Sequence, residues 1–271
     1  MGPPWSPISA SCVTPWQHGA WLAAALATLT SRDEVVGVVG MGSTADATRV
    51  DEWSDHDVAI IVVPGAEGRY VGQVDWMPES HRIVLVLEQH HGGGRAVYED
   101  GHLVEWGVAT VETLGTWAAD DYAVLLDRGG VADVMKKIVS TPFPPNVPDA
   151  TRDAAMFLTA LLHGVGRARR GESLSAGDVI RGDAVHALLR AARAHCQTDL
   201  SALDRLDGLR RVELAFPDLA AQISVAIAEE PEHAARAMLG IAERHLGVGA
   251  GGLNPAGREA IMRRLGWPER S

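Results

Sequence analysis

The sequence predicts an α+β chain in two parts, and three observations carry that prediction. Short β-rich runs alternate with turn signals through the first half. Four prolines crowd into Thr141–Pro148, and beyond them alanine, leucine and arginine recur at helical spacing. A chain of 271 residues, 46 % of them apolar, is long enough to bury the core of one large domain or two smaller ones. The expected division is a sheet-containing domain over residues 1–140, a proline-rich linker over 141–148 and a helical domain over 149–271.

The elements follow in order. The start, Met1-Gly2-Pro3-Pro4-Trp5-Ser6, matches a myristoylation pattern in form, but its prolines read as an irregular lead-in. Ala and Leu dominate Gly19–Thr30, which predicts a helix. Its apolar core, Gly19–Leu29, is too short to cross a bilayer, and no Lys or Arg precedes it as a secretion signal requires. Val35–Gly40 and Asp57–Val63 are continuous apolar runs, the mark of strands buried on both faces, and Pro64-Gly65 stops the second. Further strands are expected at Arg82–Leu87, Arg95–Tyr98, His102–Val108 and Tyr122–Leu126, with Glu99-Asp100-Gly101 as a hairpin turn. Val131–Ile138 reads as a helix after Gly129-Gly130.

Neither a helix nor an inner strand can cross the proline cluster. After it, Leu158, Leu161, Leu162 and Val165 share one helical face, and helices are expected near Ala176–His195, Asp218–Ala228, Glu232–Leu246 and Pro255–Leu265.

Charge narrows the function. Residues 1–148 hold 19 acidic against 8 basic side chains, a balance of −11, whereas residues 149–271 hold 16 of each. A nucleic-acid polymer needs a basic track, so the first half excludes that partner. It suits a cationic small molecule or a metal carrying a phosphate, although acidic surface also serves solubility. Cys12 and Cys196 are too few for a disulfide scaffold and match no metal spacing. The expectation is a soluble cytoplasmic protein with no membrane partner, a monomer or weak dimer.

The informative stretch runs from Gly42-Ser43, at the end of an apolar strand, to Asp55-His56-Asp57 at the start of the next. Asp55 and Asp57 are two apart, so both carboxylates project from one face. Close carboxylates repel unless a cation lies between them, and a pair of Mg²⁺ ions so held is an arrangement for displacing pyrophosphate from a nucleotide. The Gly42-Ser43 turn offers backbone N–H groups and a hydroxyl to terminal phosphates. Glu105, an acid inside the apolar strand His102–Val108, would complete the metal site or take a proton from an attacking hydroxyl. The alternative is an edge strand whose Glu105 faces water.

Together these residues resemble the polymerase-β-type nucleotidyltransferase superfamily: Gly-Ser, eleven residues, then Asp-His-Asp entering an apolar strand. Within it the chain looks most like the antibiotic (aminoglycoside) nucleotidyltransferases. Glu99-Asp100-Gly101-His102-Leu103-Val104-Glu105 followed by Glu112-Thr113-Leu114 is similar to their acidic hairpin, and Val124–Gly130 to the strand end that follows. The motifs cover residues 35–140; the rest is similar in architecture only. The resemblance implies an N-terminal mixed β-sheet domain with flanking helices, then a C-terminal α-helical bundle that helps bind substrate. It implies transfer of a nucleoside monophosphate, usually AMP from ATP, to a hydroxyl of a small, cationic acceptor. Asp55 and Asp57 would hold two Mg²⁺ ions, Gly42 and Ser43 would meet the phosphates, and Glu105 would be third metal ligand or base. Many members carry Asp where Glu105 stands, and the longer side chain favours the base role. Two other readings stay open: a protein or tRNA acceptor, and a catalytically silent relative that binds nucleotide or drug.

Other residues invite attention. His90-His91-Gly92-Gly93-Gly94-Arg95 reads as a flexible hairpin loop rather than a chelate, and His56 as a packed or hydrogen-bonded histidine on the opposite face from the aspartates. Trp53, Trp76 and Trp106 could stack on a ligand but are expected in the core. Arg49 could neutralise a phosphate. Arg167–Glu172 should end a helix, Arg210-Arg211 and Arg263-Arg264 should lie on solvated helix faces, and Asp127, Asp153 and Glu172 could line an acidic cleft.

Overall fold

A computed structural model describes residues 15–89, 92–141, 148–195, 200, 202–204 and 206–268. The chain divides into two compact units, Met1–Pro142 and Phe143–Ser271. The proline cluster falls almost wholly outside the described residues, as do the first fourteen residues, His90, His91 and Cys196.

The first unit opens with helix α1 (Pro15–Thr30), which starts four residues before the apolar stretch that predicts it. Six strands follow: β1 (Val35–Met41), β2 (His56–Val62), β3 (Ile83–Glu88), β4 (Gly93–Tyr98), β5 (Leu103–Ala109) and β6 (Tyr122–Asp127). Each lies within two residues of its expected position. They form one mixed sheet in the order β3-β4-β5-β2-β1-β6. All neighbours are antiparallel except β2 and β5, which run parallel.

Both faces of the sheet centre are covered, which is why β1 and β2 are apolar without alternation. On one face Val38, Val58, Ile60, Val104 and Trp106 pack with Ala25 and Leu29 of α1. On the other, Val39, Ala59, Ile61 and Ala109 meet Leu114 of the short helix α2 (Val111–Leu114) and Val131 and Met135 of α3 (Val131–Ser140). β4 begins two residues earlier than expected, because glycines of the loop enter the strand and the Trp106 indole lies over Gly94.

The second unit is helical. Helix α4 (Ala150–Arg169) buries Phe157, Leu158, Leu161 and Val165 and ends at Gly171 with φ +80°. The expected helix over 176–195 starts earlier, as α5 (Ser173–Asp178), passes through a π-turn at Val179–Ala184 and continues as α6 (Val185–His195). After α7 (Val212–Ala215) come α8 (Pro217–Ile227), α9 (Pro231–Leu246) and α10 (Pro255–Leu265). Their apolar faces close one core around Phe157, Leu161, Leu188, Met238 and Leu239. Arg210 and Arg211 are not on a helix face: they lie in the turn before α7, Arg211 has φ +63°, and both pair with Asp204. Among the described residues no helix is long and apolar enough to cross a membrane.

Candidate active site

The parallel register of β2 and β5 sets Asp57 directly beside Glu105. Neighbouring strands lie about 4.8 Å apart, and both residues occupy the face that carries Ala59, Ile61 and Ala109. Antiparallel pairing extends the row sideways, so that Met41, Asp57, Glu105 and Arg95 stand side by side across β1, β2, β5 and β4. β5 is an interior strand, which removes the alternative of a Glu105 hanging from a sheet edge. Glu105 is half-buried, and Arg95 Nε donates to its Oε1 at 2.9 Å. Sequence reading overlooked this arginine.

Asp55 stands one residue before β2, and the structure ties it down through its main chain. Its carbonyl accepts a hydrogen bond from His18 Nε2 at 3.0 Å and, at 3.4 Å, from the Ser43 hydroxyl. The turn of the Gly42-Ser43 motif is a single 3₁₀ turn, Gly42–Thr44, and Gly42 adopts φ +55°, a conformation that glycine enters without a Cβ penalty. Thr44, next to the motif and overlooked in the sequence, accepts the Asp57 N–H on its hydroxyl at 2.9 Å. The turn and Asp57, the second residue of β2, are thus one hydrogen-bonded unit. The Gly42 N–H itself already donates to Asp121 O at 3.3 Å, so it differs from the free donor the sequence suggested.

The reverse face of the same strands is sealed by imidazoles. His56 is fully buried, stacked on His18 with ring centres 3.6 Å apart. Carbonyl oxygens only accept, so His56 Nε2 must donate to His18 O at 3.0 Å. That leaves Nδ1 of His56 as the acceptor for His102 Nε2 at 2.7 Å, and His18 Nε2 as the donor to Asp55 O. Burial, with the neighbouring His18 and His102 rings, pushes His56 down to about 2, and burial also lowers His102. Trp21 covers the group and donates to Tyr98 Oη at 3.0 Å. The packed role expected for His56 is what the structure shows.

A cavity of about 500 Å³ opens over the carboxylate face, with Met41, Asp57, Gln89, Glu105, Gly107 and Trp117 among its lining. Trp117, from the segment after α2, packs on Gly107 so closely that a Cβ there would fall 2.4 Å from the indole. Among the described residues, no three His, Cys, Asp or Glu side chains are gathered closely enough to form a complete metal cage. The donor set still fits Mg²⁺, which takes oxygen ligands and is commonly held by one or two carboxylates together with substrate phosphates and water.

The remaining candidates find structural employment. Trp76 and Trp106 are core residues, whereas Trp53 is 84 % exposed, against expectation. Arg49 pairs with Asp121. Asp127, Asp153 and Glu172 each find partners within their own unit. Asp127 caps α3, where the Ala132 and Val131 N–H groups, followed by those of Gly129 and Gly130, hold its carboxyl below the usual range. Asp153 is buried; desolvation opposes its charge, but the Asp149 N–H and the Arg152 and Arg190 guanidiniums prevail and lower it. Glu172 pairs with Arg170.

No protein-family model matches the chain, and no curated protein matches it. Two solved structures are similar to it at low identity. A nucleotidyltransferase-like protein from Exiguobacterium sibiricum is 12 % identical, over 93 % of this chain and 81 % of that one, with a TM-score of 0.34. An aminoglycoside 6-adenyltransferase from Bacillus subtilis is 10 % identical, over 93 % of both chains, with a TM-score of 0.31.

Proposed function

We propose that the chain is a nucleotidyltransferase that moves a nucleoside monophosphate, AMP from ATP, onto a hydroxyl of a small aminoglycoside-like acceptor. The observation that carries this reading is the register pairing of Asp57 with Glu105 on parallel strands, facing one cavity beside the Gly42–Thr44 turn. The two carboxylates stand side by side on one face of the sheet, and the sequence motifs that contain them are those resembling the nucleotidyltransferase superfamily.

In this reading the acceptor oxygen attacks the α-phosphorus in line, its bond forms as the bond to the β-phosphate oxygen breaks, and pyrophosphate leaves. Glu105 accepts the hydroxyl proton, and Arg95 orients its carboxylate. Ser43 meets the departing phosphates, for which its long bond to Asp55 O is readily exchanged. Asp55 and Asp57 would hold Mg²⁺, with substrate phosphates and water completing its coordination. When bound, the ion neutralises triphosphate charge and stabilises the leaving group. Positioning and electrostatics supply most of the acceleration.

The test is Asp57→Asn assayed for pyrophosphate release from ATP with Mg²⁺ and a panel of aminoglycosides. Turnover is expected to fall by about 10³-fold or more with an unchanged melting temperature. Near-full activity in that variant refutes the assignment, and label transferred to a protein or tRNA instead of a drug replaces the acceptor.

A further inference from the structure

We infer that Trp117 is the acceptor-side wall of the site and selects a ring with an apolar face and a cationic substituent, the chemistry of an amino sugar. The inference rests on the nucleotidyl-transfer reading and deepens it. Three observations lead there. First, Trp117 lines the same cavity as Asp57 and Glu105. The indole is seated against β5 at Gly107, two residues past Glu105 and on the same face, where the absence of a side chain makes room for it.

Second, the sheet order gives the site a direction. The Gly42–Thr44 turn follows β1, Asp57 is on β2, and Glu105 and Gly107 are on β5, beyond β2 from that turn. In-line displacement places the attacking oxygen opposite the leaving group. With pyrophosphate at the turn, the acceptor enters from the β5 side, where Glu105 and Trp117 stand.

Third, the surroundings specify the chemistry. An indole face favours the C–H face of a saccharide or a nearby ammonium group, and Asp57 and Glu105 beside it add attraction for positive charge, which the Arg95 guanidinium on Glu105 offsets only in part. The net charge of −11 over residues 1–148 gives the approach the same sign.

Calorimetric binding of kanamycin A, and separately of α,β-methylene-ATP with Mg²⁺, to wild type, Trp117→Ala and Trp117→Phe tests this. Trp117→Ala should weaken kanamycin at least tenfold while the nucleotide analogue stays within twofold, and Trp117→Phe should recover most of the loss. The inference is overturned if wild type does not bind kanamycin at millimolar concentration, or if Trp117→Ala leaves kanamycin binding unchanged. Weakened nucleotide binding with kanamycin unaffected also overturns it, and gives the wall to the nucleobase. The nucleotidyl-transfer reading fails by a different result, pyrophosphate release that is absent in wild type or retained in Asp57→Asn.

Discussion

Adjacent residues of β2 occupy opposite environments. His56 is sealed beneath α1, stacked and hydrogen-bonded with every polar atom directed, while Asp57 turns to the other face and lines an open cavity. The same holds on β5, where Trp106 is buried and its Nε1 donates to Tyr70 O at 2.8 Å, yet Glu105 beside it is half-exposed and faces Arg95. A period of two residues separates a rigid dry clamp from a wet acidic platform less than one sheet thickness away.

That contrast can be broken from either face. On the platform, Glu105→Gln removes the proposed proton acceptor and should lower kcat about 100-fold or more with little change in melting temperature, as steady-state kinetics and a thermal melt would show. On the clamp, His56→Phe leaves the His18 carbonyl and the His102 N–H without their partner; chemical denaturation should register a loss of about 3 kcal/mol. The two variants should therefore separate activity from stability in opposite senses.

Acid weakens the clamp. His56 stays neutral in the folded protein, its value pushed down to about 2, while an imidazole in the unfolded chain protonates near pH 6.5. The unfolded state thus gains a proton as pH falls, so this contribution to stability is fully present above about pH 6.5 and is lost below it. Denaturation followed from pH 7 to pH 5 should show a decline of about 1.4 kcal/mol per unit below that point, reduced in His56→Phe. The smallest effect belongs to Trp53→Ala: at 84 % exposure the indole supports neither face, and stability should change by less than about 0.5 kcal/mol.

Much of this was legible beforehand, for stated reasons. Strand positions follow from apolar runs and turn residues, which act locally, and all six lie where those signals put them. The Asp57–Glu105 neighbourhood needed more, because a parallel pairing between distant strands has no local signature. Arg95 was within reach: a hairpin turning at Glu99-Asp100-Gly101 places residue 95 opposite residue 105, and the observed register does so. Trp117 and His18 carried no comparable signal, since each reaches its place through tertiary packing rather than periodicity. Asp127 shows how alike a carboxylate at a helix start and one in a binding cleft look in sequence, since its role as the cap of α3 emerges only from the backbone donors around it.

The parallel pairing of β2 with β5 has a consequence for how the protein matures. Antiparallel hairpins zip from a nearby turn, but β2 and β5 are separated in the chain by the whole β3–β4 excursion. Closing that long loop costs more entropy than a hairpin turn, so the Asp57–Glu105 pairing is expected to form after the hairpin of β4 and β5. The two candidate acids therefore become neighbours only once β2 has paired with β5.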